Sequence, residues 1–292
     1  MGAVCYSGLV LFQGVVFGVL GLLIGSFLNV LVLRQGTGRG LSGRSSCMSC
    51  GCRLIWSDLI PVFSWLVLRG RCRECGSRVS IQYPLVEATT GILFALFGPA
   101  VVLAFHLPFP TCVLLILDYV AIISILIAIA AYDILHTIIP DVWAYLFAVL
   151  AFLSQFLTAL PGYSNVLVLL AAGPLAALPL YVLWLVSKGR WMGLGDAKLA
   201  LGIGWLLGPV LGLASIMFAF IVGAVVSVFV LMPLSRIGRL YAYLGITRLS
   251  ADTSSLTMRS EVAFGPFLIA SCLIMWFFQL YDISAPFGFF GL

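Results

Sequence analysis

Leu199-Ala-Leu-Gly-Ile-Gly-Trp-Leu-Leu-Gly-Pro-Val-Leu-Gly-Leu-Ala-Ser-Ile-Met-Phe-Ala-Phe-Ile-Val-Gly-Ala-Val-Val-Ser-Val-Phe-Val-Leu-Met-Pro-Leu234 carries no charge anywhere along its length. A helix crosses a bilayer in about 20 apolar residues, so this stretch is too long for one crossing. Its glycines and Pro209 interrupt it, and two short helices fit better. The chain around it is of the same kind. It is 63% hydrophobic and 9% charged over 292 residues, whereas ordinary soluble domains are about 25% charged. So few polar residues could not cover a soluble surface, which makes this an all-α polytopic membrane protein. The first apolar run, Leu9 to Leu33, lacks the basic lead of a cleavable signal and reads as a permanent span. Further spans lie near Leu85–Leu107, Thr111–Tyr132, Ile139–Leu160, Val166–Val186 and Phe264–Tyr281. With the stretch from Leu199 split in two, about eight transmembrane helices are expected.

Charge placement supports that number. The 15 Lys and Arg residues fall in three groups: Arg34 to Arg78, then Lys188, Arg190 and Lys198, then Arg236 to Arg259. Eight spans put all three groups on one side, while a single crossing between Lys198 and Arg236 would divide them. The positive-inside rule then places these loops in the cytoplasm and both termini outside. The net charge of +5 is accounted for by topology and contact with membrane lipid, and no nucleic-acid partner is expected.

The chain therefore divides into a first helix (1–33), a cytoplasmic loop (34–84) and a transmembrane remainder (85–292). The loop opens on a glycine-rich lead from Gly36 to Gly43 and holds Cys47-Met-Ser-Cys50 and Cys72-Arg-Glu-Cys75. Two Cys-x-x-Cys knuckles at such a separation converge four thiolates on one tetrahedral zinc, in a zinc-ribbon-like arrangement. Gly51 and Gly76 directly after them suit tight turns. A structural metal also makes physical sense in a loop too short to bury a core. Disulfides would need an oxidising compartment. A redox dithiol is the competing reading of Cys-x-x-Cys, and Cys52 is a fifth thiol that could serve as an alternative ligand. Cys5, Cys112 and Cys272 are scattered in or near spans and read as apolar packing.

Ten acids are available. Glu74, Asp58, Asp252 and Glu261 fall in loops, Asp282 lies near the outer end of the last span, and Glu87 begins the second span at its interface. Asp118 and Asp133 flank the third span about 22 Å apart by helical rise, so they cannot share a proton. Asp118 is expected to make a polar contact between helices. Asp141 follows Pro140, where a first-turn carboxylate favours the helix dipole; a functional role is equally open to it. Asp133 and Asp196 both fall at cytoplasmic helix ends at similar depth. A carboxylate in an apolar span is expensive unless paired, wet or useful, and two from separate segments suggest the shared-proton dyad of an aspartic protease. Gly193 and Gly195 before Asp196 allow close backbone approach and support such a site. Lys198 reads as an anchor at the basic face. Intramembrane acids also serve proton-coupled transporters, and the cysteine pairs would serve a membrane thiol oxidoreductase; these are the rival readings.

Taken in order, these motifs resemble the type IV prepilin peptidase / N-methyltransferase family. Gly25-Ser-Phe-Leu-Asn-Val-Leu-Val-Leu-Arg34, the four spaced cysteines, Tyr83-Pro-Leu-Val-Glu87, Ile139-Pro140-Asp141 after Asp133, Gly193-Leu-Gly-Asp196-Ala-Lys-Leu199 and Phe264-Gly-Pro-Phe267 cover almost the whole chain. The Gly-Leu-Gly-Asp segment is also similar to that of presenilin-class intramembrane proteases. The resemblance implies catalytic Asp133 and Asp196, and a metal held by Cys47, Cys50, Cys72 and Cys75. It implies a bacterial inner-membrane enzyme that cuts prepilin or pseudopilin leaders after a glycine at the cytoplasmic face. It further implies methylation of the new N-terminus with S-adenosylmethionine as donor, for which no binding residues can be named.

Overall fold

The computed structural model describes residues 2–37, 43, 45–104, 109–159, 166–231 and 263–281. Among these there is no β-strand, and eight helices carry the fold. They are α1 (Gly2–Arg34), the short α2 (Phe63–Val67), α3 (Gln82–Ala104), α4 (Phe109–His136), α5 (Asp141–Ala159), α6 (Val166–Ser187), α7 (Leu194–Val226) and α8 (Gly265–Leu280). A 3-10 turn, Trp56–Leu59, precedes α2, and a π-helical turn, Ser227–Leu231, follows α7. The segments Leu9–Arg34, Pro110–His136, Val166–Ser187 and Leu194–Phe229 are long and apolar enough to cross a membrane, while Asp141–Leu157 and Gly265–Leu280 are shorter apolar helices.

The stretch that opened the sequence is broken where expected. Gly208 adopts φ 83°, ψ 174° inside α7, immediately before Pro209. Positive φ is cheap only for glycine, and the proline has no N–H to continue the ladder. The break is a reversal of direction. A Cβ added to Gly212 would lie 2.9 Å from Cα of Gly204, although residues eight apart on one helix are separated by about 12 Å. The two arms, 194–207 and 209–226, therefore fold back on each other as a hairpin, with glycine facing glycine. Among the described residues each apolar segment expected from the sequence is largely helical, and with the arms counted separately these apolar helices number eight.

Glycine also sets the contact between α1 and α3. A Cβ on Gly21 would meet the carbonyl oxygen of Thr90 at 2.6 Å, and one on Gly25 would meet Cα of Glu87 at 2.8 Å. Gly14 and Gly18 continue the seam toward Ala95 and Pro99. Helices in lipid gain little from excluding water, so small residues that let backbones touch hold them together. The order of contacts, 25 with 87 and 14 with 95, makes the pair antiparallel. α3 begins three residues earlier than the predicted Leu85, because Asn29 on α1 donates to the carbonyl of Tyr83 at 3.1 Å and fixes its first turn.

α4 lies at the centre, touching α1, α3, α5 and α8, while α7 touches α5, α6 and α8. Leu115, Ile122, Leu126 and Ile129 of α4 are fully buried. One end of this bundle gathers the C-terminus of α4, the N-termini of α5, α7 and α8, and the close of the α7 hairpin. That end carries the acids.

Candidate active site

Asp133 stands in the last turn of α4. Thr137, at φ 53°, turns the chain out of the helix, and its N–H donates to the carbonyl of Asp133 at 2.7 Å. This left-handed cap closes the helix directly behind the carboxylate. Tyr132 packs against the rings of His136 and Trp143, at 4.4 and 5.5 Å between centroids, so the last turn is braced on α5. Asp196 stands in the first turn of α7, three positions after the helix-initiating Gly193. A carboxylate there lies over free backbone N–H groups at the positive end of the helix dipole, and its Oδ2 lies close above Gly193.

These two helix ends meet around a small set of side chains. Gly265, at the start of α8, donates its N–H to Asp133 Oδ2 at 3.0 Å. A Cβ at Gly265 would sit 2.6 Å from that oxygen, so the amide reaches the carboxylate only because no side chain intervenes. Ile139 wedges between the two supports, within 3.0 Å of a Cβ placed on Gly195 and 3.3 Å of one placed on Gly265. Asp133 and Asp196 are 4% and 8% exposed, and Asp196 lies within electrostatic reach of Asp133. Among the described residues neither forms an ion pair. Two buried carboxylates from different helices, within electrostatic reach and without an ion-pair partner among the described residues, are an arrangement suited to sharing one proton.

The other acids are sorted elsewhere. Asp141 opens α5, is exposed, and pairs with Lys198 Nζ at 2.6 Å; that nitrogen also lies 5.3 Å from the ring centre of Tyr145. Lys198 is thus tied to a neighbouring helix start. Asp118 is buried in the opposite half of α4. Glu87 is not at an open interface as expected: it is buried and accepts the N–H of Val62 at 2.7 Å, because Gly25 lets α1 close over it. Asp252, Glu261 and Asp282 lie outside the described residues. The sequence motifs Phe264-Gly-Pro-Phe267 and Ile139-Pro140 contain Gly265 and Ile139 without disclosing these roles. A glycine directly before a helix-starting proline was the available signal.

The cysteines form a second site. Sγ atoms of Cys47, Cys50, Cys72 and Cys75 all lie within 4.8 Å of one another, with Cys47 and Cys75 at 3.9 Å. Four thiolates about 2.3 Å from a tetrahedral zinc stand about 3.8 Å apart, so the cluster fits that ion. The knuckles are built alike. Cys47 N–H donates to the carbonyl of Cys52 at 2.9 Å and Gly51 N–H to Cys47 at 2.9 Å; Cys72 N–H donates to Ser77 at 2.8 Å and Gly76 N–H to Cys72 at 3.0 Å. Gly51 and Gly76 have φ of 71° and 67°, the left-handed turn that glycine allows. Backbone N–H groups of Cys50 and Ser49 lower the Cys47 thiol to about 6, favouring the thiolate. Cys52 occupies the place that Ser77 holds in the other knuckle and stands outside the four-sulfur cluster. Cys272 is buried as packing, and the Cys5 side chain lies outside those described.

Known families and proteins match this chain over much of its length. Residues 19–100 match the bacterial peptidase A24 N-terminal domain, and residues 120–228 match the type IV leader peptidase family. A prepilin leader peptidase/N-methyltransferase of Myxococcus xanthus is 34% identical over 75% of this chain and 64% of its own length, just under two-thirds. Proteins of the same description from Bacillus subtilis (32% identical, 70% of this chain, 78% of that protein) and Dichelobacter nodosus (29%, 94% of both) also align. No solved structure matches. With Asp133, Asp196, Gly193, Gly195 and the four clustered cysteines inside the matched segments, the chain belongs to the type IV leader peptidase family.

Proposed function

We propose that this protein is a membrane aspartic endopeptidase that removes the leader from type IV prepilins or pseudopilins and then methylates the new N-terminal residue. The observation that carries the reading is that Asp133 and Asp196, both buried and neither in an ion pair among the described residues, lie within electrostatic reach of each other at one end of the bundle. Two carboxylates at close quarters cannot both ionise and hold one proton between them. The ionised member takes a proton from a water as that water attacks the scissile carbonyl. The protonated member donates to the developing oxyanion or the leaving amine. The pair titrates as a unit, and the Gly265 N–H steadies one carboxylate in place. Gly193 leaves room for an extended peptide to approach Asp196, while Gly195 lets Ile139 pack against the start of α7.

Residues 85–292 form the peptidase part in this reading. Lys188, Arg190 and Lys198, close in sequence to Asp196, support an orientation of that end toward the cytoplasm by the positive-inside rule, and the family supports a bacterial inner membrane. A leader would therefore be presented and cut there. Cys47, Cys50, Cys72 and Cys75 would hold a structural zinc in the 34–84 loop, a reading supported by the convergence of four sulfurs rather than two. For the second activity S-adenosylmethionine would supply the methyl group; its support is the name shared by the relatives.

The test is a cleavage assay with purified protein in detergent and a prepilin carrying its leader, run for wild type, Asp133→Asn and Asp196→Asn. The expected result is leader removal by wild type and none by either variant. Processing at the wild-type rate by either variant would refute the dyad.

A further inference from the structure

The segment between the two cysteine knuckles reads in sequence as part of a solvated cytoplasmic loop, yet its surroundings are those of a membrane-embedded element. Glu87, a residue of the membrane-spanning α3, accepts the N–H of Val62. Glu87 packs against Gly25 of α1, nine residues before Arg34, which is about 13 Å along the helix from its charged end. The chain from Ile55 to Leu68 therefore descends beside α1 to that level. There Trp56, Leu59 and Ile60 form one wall of an open groove of about 370 Å³, and Val19, Leu22 and Leu23 of α1 form the other. Val19 and Leu23 face outward on a spanning helix, so the groove is continuous with the surface that α1 presents to lipid.

The segment also meets the conditions that hydrocarbon imposes. Trp56 is 80% exposed, and Phe63, Leu66 and Val67 are each about 60% exposed, an apolar face that water would disfavour. Several of its backbone N–H groups are paired: Asp58 donates to Ile55, Ser64 to Ile60, Leu66 to Val62 and Leu68 to Ser64, while Val62 donates to Glu87. Pairing of this kind lowers the cost of placing irregular chain beside lipid. Its single charge, Asp58, is covered by Arg73 at 2.6 Å. Arg53 precedes it, and Arg69 and Arg71 follow it, where cations would meet anionic headgroups.

We propose that residues 55–68 form an interfacial hairpin that inserts into the bilayer beside α1, its apolar face covered by acyl chains, so that the cysteine knuckles are pinned at the membrane surface. The anchor does not depend on the chemistry of Asp133 and Asp196, and its test needs no turnover.

Full-length protein with p-benzoylphenylalanine in place of Phe63 or Leu66 is reconstituted in nanodiscs of phosphatidylethanolamine and phosphatidylglycerol, irradiated, and analysed by mass spectrometry. The same probe in place of Val19 gives the lipid-facing reference. In place of Met48, an exposed apolar residue of the first knuckle, it gives the solvated one. Phospholipid adducts at positions 63 and 66 should match those at 19, with about an order of magnitude less at 48. Adducts at 63 and 66 no more abundant than at 48 would overturn the proposal. Adducts there only to a second copy of the chain, or only to an added prepilin helix, would equally overturn it and reassign the face to that occupant. Because Phe63 and Leu66 are already exposed, the probe displaces no core contact; matched thermal melts of the probe-bearing proteins serve as the check.

Discussion

The cysteine site and the carboxylate site are built on opposite plans. Each knuckle is a short run of chain whose own backbone bonds, Cys47 to Cys52 and Cys72 to Ser77, aim two sulfurs at a common centre. The carboxylate site has no local plan. Asp133 ends one helix, Asp196 begins another, and the amide that steadies Asp133 comes from a residue 132 positions away. A locally built site survives insults to the bundle but depends on its ligands. A site assembled from helix ends depends on every contact that sets those ends, including contacts that never touch substrate.

The sharpest way to break the comparison is at the acids. Asp133→Asn or Asp196→Asn should lower leader cleavage by at least about a thousandfold, with zinc content by elemental analysis unchanged. Next comes Gly265→Ala, which adds a methyl group where Asp133 Oδ2 lies 2.6 Å away. Loss of the amide contact and of the carboxylate position should cost about a hundredfold in kcat, again with zinc retained. If cleavage survives this change, the site is less dependent on helix ends than the geometry says.

At the other site, Cys72→Ser removes one of four converging sulfurs. Bound zinc should fall to near background, while cleavage should fall by about tenfold or less, since the ligands share no contact with the carboxylates. A loss as deep as that of Asp133→Asn would join the two sites into one. The smallest effect is expected from Cys52→Ser: zinc stoichiometry and cleavage should both stay at wild type, because the other knuckle already carries Ser77 at that place. Reduced zinc in this variant would make Cys52 a ligand.

The difference in plan also explains what could be read from the sequence. Local constructions were legible: the knuckles through their spacing and following glycines, the α7 reversal through Gly208-Pro209, the start of α5 through Pro140-Asp141. Asp133 and Asp196 could be paired because span counting gives depth, and depth is a one-dimensional quantity. Lateral neighbours are not. Nothing in Phe264-Gly-Pro-Phe267 says that its amide points at Asp133, and nothing in Ile139 says that it fills the gap between Gly195 and Gly265. The seam of Gly14, Gly18, Gly21 and Gly25 becomes evident only when α1 is seen beside α3. Glu87 was read as an interface residue for the same reason.

The hairpin in α7 has a mechanical consequence. Its first arm opens with Asp196. Its second arm brings Gly223 back to Phe264 and Phe267, where a Cβ placed on the glycine would lie 3.5 to 3.7 Å from their rings, and Phe220 packs tilted against Phe264 with centroids 4.8 Å apart. Those phenylalanines bracket Gly265, which holds Asp133. One continuous piece of chain thus grips both carboxylates, one directly and one through a neighbour, like the two legs of a caliper joined at Gly208. The gap between the acids is set by how closely the legs stand, and glycine at 204 and 212 sets that width to the thickness of two bare backbones.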